Sequence, residues 1–166
     1  MALYDEAVSA YAALRGEPAG LLGRAIDADP DFLAAHAARV HLLGGSMGVT
    51  VGGEPAYAAS VAALGRLLAP GVAESVGTPR ERAYALAALL RVEGRWRAAA
   101  AVMEASLAGA PTDLLTLRTL HDLYFAAGDT VNLRNSVARV AREWDPTMPE
   151  YDKVCGMMAF GYVLMC

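Results

Sequence analysis

The sequence predicts an all-α chain of stacked helical hairpins, a solenoid of about nine helices. Three observations predict it. The composition is 55% hydrophobic and dominated by Ala and Leu, both strong helix formers. β-branched residues are sparse and no segment alternates with period two for long, so essentially no sheet is expected. Residues 78–146 also repeat one grammar twice. An apolar helix, a turn carrying Gly (Glu93-Gly94-Arg95, then Gly128-Asp129), a second helix and a closing Pro (Pro111, then Pro146) recur at roughly 34 residues.

The helices follow in order. The first is expected over residues 3–14, with Asp5 and Glu6 in its opening turns, where carboxylates suit the helix dipole. Arg15-Gly16-Glu17-Pro18 breaks it, and a short second helix over 19–28 ends at Asp29-Pro30. Asp31 is expected to cap a third helix over 32–43 through its side-chain oxygen. A glycine-rich stretch, 44–53, follows. It lacks the Gly-Lys-Ser/Thr ending of a phosphate-binding loop and no strand precedes it, so it reads as a connection. A fourth helix spans about 54–68, and 69–76 is a linker.

Thr78-Pro79-Arg80-Glu81 has the form of a capping box with Pro at the first helical position. Helices over 81–92, 95–108, 114–127 and 131–144 come next, and a strongly apolar last helix over 151–165 is opened by residues 147–150. The hairpins therefore fall at 3–30, 31–69, 79–111 and 112–146, with an unpaired terminal helix at 149–166, all within one solenoid spanning residues 1–166.

Composition narrows the functions. Net charge is −4 at pH 7 with no basic block, which argues against nucleic acid as the main partner. Mean hydropathy is high at +0.31, yet no run of about 18 apolar residues lacks charge, so no membrane span is expected. The opening residues carry no basic stretch followed by an apolar one, so no signal peptide is expected. Cys155 and Cys166 make no disulfide framework, and free thiols in a reducing cytoplasm are the expectation. His36 and His41 are five apart and turn away from each other on a helix, and His121-Asp122 are helical neighbours that do not face one another. No metal, no cofactor and no catalytic residue is expected.

Residues 81–111 resemble the tetratricopeptide repeat. Leu86 and Ala87 stand where that pattern has Leu-Gly, and Leu90 where it has Tyr. Gly94 matches the turn glycine, Trp96 the following aromatic, Ala99 the small residue of the second helix, and Leu107 and Pro111 the closing pair. Over most of the chain, residues 13–32, 78–96 and 120–151 are similar to the N-terminal part of the tetratricopeptide repeat protein 38-like family. The run from His121 to Phe125 and the set Arg139, Trp144, Asp145, Pro146 and Pro149 are the more specific pieces. The resemblance implies an all-helical repeat protein with no well-established biochemical activity. It also implies longer members, in which the last helix leads into further repeats.

The same resemblance implies that the first helix of each hairpin lines a concave groove. That places Tyr84, Ala88 and Arg91 there from one repeat, Arg118, Asp122 and Phe125 from the next, and His41 from an earlier one. Each triplet has the i, i+4, i+7 spacing of one helical face. Arg and aromatic side chains carry protein recognition well. A dicarboxylate clamp needs several Lys and Asn residues, which are missing. On the last helix, Val154, Met157, Met158, Phe160 and Tyr162 are expected to form an exposed apolar face that pairs with another copy. The leading expectation is therefore a cytoplasmic protein-interaction scaffold for a protein or peptide partner, with self-association into a homodimer through the C-terminal helix. The alternative is an enzyme or small-molecule binder with a pocket in the concave face around Tyr84, Arg91, Arg118 and Asp122.

Overall fold

The computed structural model describes residues 2–44, 54–72 and 75–164. Among them are nine α-helices, one 3-10 turn and no strand. The helices are α1 (Ala2–Ala12), α2 (Pro18–Ala28), α3 (Leu33–Leu43), α4 (Pro55–Leu67), α5 (Pro79–Val92), α6 (Trp96–Gly109), α7 (Leu114–Ala126), α8 (Thr130–Val140) and α9 (Tyr151–Val163). Most of the expected glycine-rich connection (45–53), part of the expected linker (73–74), and Met165 and Cys166 lie outside the described residues.

Local chemistry sets the helix ends. The Thr78 capping box forms as expected: the Glu81 backbone N–H donates to Thr78 Oγ1 at 3.2 Å, and the Thr78 N–H donates to Glu81 Oε2 at 2.7 Å. Asp113 caps α7 and Asp129 caps α8, each accepting from the backbone three residues on. Proline opens α2, α4 and α5, where its missing N–H costs nothing.

Three hairpins close with one and the same motif. At the end of α5, Gly94 is left-handed (φ 75°); its N–H donates to the Arg91 carbonyl, and that of Arg95 to the Leu90 carbonyl. At the end of α7, Gly128 (φ 67°) and Asp129 repeat this pair of bonds to Phe125 and Tyr124. At the end of α1, Leu14 (φ 52°) and Arg15 make it again to Tyr11 and Ala10. This is the Schellman closure, which glycine suits because it lacks a Cβ.

Four expectations are corrected. Asp31 does not cap α3; the cap position falls at Phe32, which makes no side-chain bond, and Asp31 pairs with Arg66 at 3.0 Å. α1 stops at Ala12 because Leu14 takes the left-handed turn. α8 stops at Val140 and tightens into the 3-10 turn Ala141–Glu143, after which the Trp144 indole donates to the Pro111 carbonyl at 3.1 Å. The last helix is not unpaired: α9 packs along α8 and touches α7, burying Val154, Met157 and Gly161.

The second helix of a hairpin packs on the first helix of the next: α2 on α3, α6 on α7, α8 on α9. α3 also packs on α5. Small residues at these seams, including Ala87, Ala88 and Ala99, let backbones approach, and Leu64, Leu67, Met103, Leu117, Leu120 and Leu123 fill the space between. α1 departs from nearest-neighbour packing and reaches across to α7. No helix among the described residues is long and apolar enough to cross a membrane.

Gly161 sets the approach of α9 to α8. A Cβ there would stand 3.0 Å from Arg134 Cα and 3.2 Å from Leu133 Cδ2, so a larger residue requires α8 to give by a few tenths of an ångström. Gly161→Val is expected to cost about 1–3 kcal/mol of stability, read as a lower urea midpoint, with the extra exposure confined to α9 in hydrogen exchange.

Candidate functional site

The face of α7 that carries Arg118, Asp122 and Phe125 is met by the chain's own first helix. The C-terminal turns of α1 and α7 carry the Schellman glycine or leucine at equivalent places, so Tyr4, Val8 and Tyr11 on α1 correspond to Arg118, Asp122 and Phe125 on α7. α1 turns this face inward. The Tyr11 hydroxyl donates to Asp122 Oδ2, and its ring lies under the Arg118 guanidinium, 5.5 Å from ring centroid to Cζ. Arg118 in turn clamps Asp122 with two bonds, the shorter 2.7 Å, in an i, i+4 pair that is largely buried. Further along α1, the Ser9 hydroxyl donates to Glu150 Oε1 at 2.6 Å, and Tyr4 packs on Phe32. Tyr11 and Tyr84 are raised above the ordinary phenol range, first by burial, so both hydroxyls stay neutral donors.

The predicted residues sort into two groups. His41, Tyr84 and Arg91 form a buried polar knot between α3 and α5: the His41 ring packs on Tyr84 at 4.7 Å, and Arg91 donates to the His41 carbonyl at 2.6 Å while lying over Trp96. The Tyr84 hydroxyl meets Thr119 Oγ1 at 3.0 Å, which ties this knot to α7. These three side chains are 1–6% exposed and hold helices together; they do not line an open surface. Arg118, Asp122 and Phe125, by contrast, border a cleft.

That cleft has a volume of about 810 Å³ and lies between the end of α1, α7 and α9. It brings two separately predicted sets into one place, since Phe125 meets Phe160 at 5.6 Å and Met157 forms part of the wall. Val154 and Met157 are buried against the neighbouring helices, so two of the five residues expected to form a bare self-association face are not exposed; Met158 is half-buried, and only Phe160 and Tyr162 of the five are exposed, with Tyr162 lying by Arg134. A smaller cavity of about 360 Å³ flanks the other side of α1, among Tyr4, Ser9, Arg80, Asp113 and Glu150. Among the described residues no set of three or more His, Cys, Asp or Glu is arranged to hold a metal ion.

Several cleft residues lay outside the sequence expectation, among them Leu14, Arg15, His121 as a wall, and Lys153. Leu14 carried no sequence signal of its own, since its register with Gly94 and Gly128 is set by the shared left-handed turn. His121 and Asp122 point apart, as adjacent helical residues must: Asp122 faces α1, while the His121 ring packs on Phe160 at 5.5 Å. Its Nδ1 is buried and without a hydrogen-bond partner among the described residues. Burial, then the Arg118 charge, lowers His121 to about 4; burial, then Arg91, lowers His41 to about 3.

No protein-family model matches the sequence, and no solved structure gives a significant match to the chain.

Two predictions follow from this geometry. Tyr11→Phe removes one hydrogen bond to a carboxylate and is expected to cost about 1.5–3 kcal/mol by chemical denaturation, with faster amide exchange concentrated in α1. For pH, His41 and His121 are neutral in the fold down to about 3 and about 4, whereas in the unfolded chain they take up protons below about 6.5. The unfolded state therefore binds more protons in that interval. Stability is full above pH 6.5 and falls as pH drops towards 4, by at most about 1.4 kcal/mol per pH unit for each ring. His36 is also lowered, first by burial, so urea midpoints measured from about pH 7 to about pH 5 should show this fall, and His121→Asn should reduce its slope without abolishing it.

Proposed function

We propose that this chain is a protein-interaction module of tetratricopeptide-like helical-hairpin type, which holds a segment of a protein partner in the cleft between α1, α7 and α9. The observation that carries the reading is the cleft itself, a concave site of about 810 Å³ whose wall is the aromatic set His121, Phe125 and Phe160. That size and apolar character suit a ligand, and Phe160, the exposed member of the set, is of a residue type that buries well at interfaces. The hairpin reading is supported by the repeated Schellman closures, the packing of second helices on following first helices, and the resemblance of the repeats at 78–146 to the tetratricopeptide pattern. The likeness to the tetratricopeptide repeat protein 38-like family and a cytoplasmic setting belong to the same reading.

Self-association is a narrower form of it, because Phe160 and Tyr162 remain exposed on α9. A photo-crosslinking amino acid placed at Phe160 and, as a control, at Val131 on α8 tests the proposal in the expressing cell. A discrete protein adduct from position 160 and none from 131 is the expected outcome. An adduct of twice the chain's mass identifies the partner as a second copy. Equal labelling at both positions, or none at either, overturns the proposal.

A further inference from the structure

α9 is covered on one side only. α7, enclosed by α1, α6 and α8, buries eight residues, whereas α9, packed along α8 and touching α7, buries Val154, Met157 and Gly161. Those three share one helical face. The opposite face carries Cys155, Gly156, Ala159 and Val163, all exposed, with Val163 at 70%. Exposed Phe160 and Tyr162 flank it. From Val154 to Leu164 the chain carries no charged residue. A contiguous apolar helix face at solvent marks an interaction surface. Ala159 and Val163 do not line the cleft, so this face is distinct from it.

The placement of charge at its two ends selects the partner. At the start of α9 one ammonium, Lys153, is shared by two carboxylates, Glu150 at 2.9 Å and Asp152 at 3.0 Å, and the Asp152 side chain stays 76% exposed. Arg15, which lines the cleft with Asp152, makes no ion pair with a described residue. At the other end Arg134, from α8, lies beside Gly161 and over the Tyr162 ring. Its guanidinium donates to the Asn135 amide oxygen at 2.8 Å and 3.1 Å and makes no ion pair with a described residue. An exposed carboxylate thus stands at one end of the uncharged face and an arginine at the other. A two-fold axis across the middle of α9 sets each end against the opposite end of a second copy. With that axis between Met157 and Met158, Ala159 meets Gly156, where small side chains let the backbones approach, and Val163 meets Asp152.

Deepening the self-association form of the reading above, we propose that the outer face of α9 is a homodimer interface. α9 packs antiparallel on α9 of a second copy, and Asp152 of each copy pairs with Arg134 of the other. The apolar face supplies affinity and the two ion pairs fix direction and register. One face of a single helix is smaller than the roughly 800 Å² per partner of a standard interface, so the dimer dissociates on dilution.

The test is sedimentation equilibrium of the intact chain from about 1 to about 200 μM, where a monomer–dimer equilibrium is expected. Ala159→Arg and Val163→Glu, both on the outer face and away from the cleft, should weaken it at least about tenfold in the folded chain. Asp152→Arg and Arg134→Glu should each weaken it about threefold or more, and the double variant should restore it. That rescue is the deciding result, because a purely structural role for either residue would not produce it. A chain that stays monomeric throughout overturns the interface and leaves the cleft reading to the crosslinking experiment. A dimer that survives both Ala159→Arg and Val163→Glu overturns it too. A dimer lost in Phe125→Ala but kept in those two variants puts the second copy in the cleft and overturns the outer face. Weakening by both charge reversals without rescue in the double variant overturns the antiparallel pairing.

Discussion

The carboxylate of Asp122 is the interaction on which the rest of the arrangement turns. It accepts from Arg118 on its own helix and from Tyr11, 111 positions away in the chain. That bond, together with the Ser9 hydroxyl to Glu150, ties the first helix to α7 and to the start of α9, and a cleft lies on either side of α1. The cost of burying Asp122 and Arg118 is met within the clamp, since each supplies the other's partner and Tyr11 takes a remaining lone pair.

The part of this that is legible in the sequence is the part encoded locally. Thr78 and Glu81 announce a helix start because a capping box needs only residues three apart, and it forms where the pattern puts it. Gly94 and Gly128 mark their turns for a similar reason. Asp31 misled because the same logic holds only if no stronger partner competes; Arg66, from α4, takes its carboxylate, and α3 begins without a side-chain cap. The face shared by Arg118, Asp122 and Phe125 was readable from helical spacing. What faces them was not. Tyr11 meets Asp122 across 111 positions of chain, and helical periodicity carries no measure of such a long-range contact. Leu14 was hidden differently: its exposure and left-handed backbone are visible only after the register with Gly94 and Gly128 is known.

The same distinction explains why the apolar last helix was misjudged. Counting its hydrophobic residues gives no face, because α9 is apolar nearly all round. Gly161 decides the face. By admitting the Arg134 backbone it brings α9 down on α8 and turns Val154 and Met157 inward, which leaves Phe160 to meet Phe125 and His121 at the cleft wall. A glycine that reads as a weak helix former is here the packing element that creates the wall.

These points bear on how firmly the cleft is built. α1 buries only Ala7, Tyr11 and Ala12, against eight residues of α7. Leu3, Tyr4, Val8 and Ala10 add partly buried packing on the core, and the Tyr11 hydroxyl to Asp122 and the Ser9 hydroxyl to Glu150 add directional bonds that fix where α1 lies. Directional bonds specify register well and stabilise modestly. The two left-handed non-glycine residues among those described, Leu14 and Glu150, stand at the two ends of this contact, one closing α1 and one opening α9. Behind that contact Leu117, Leu120 and Leu123 are fully enclosed, so the bonds that position α1 are laid over a closed apolar core and are not what holds α7 in place.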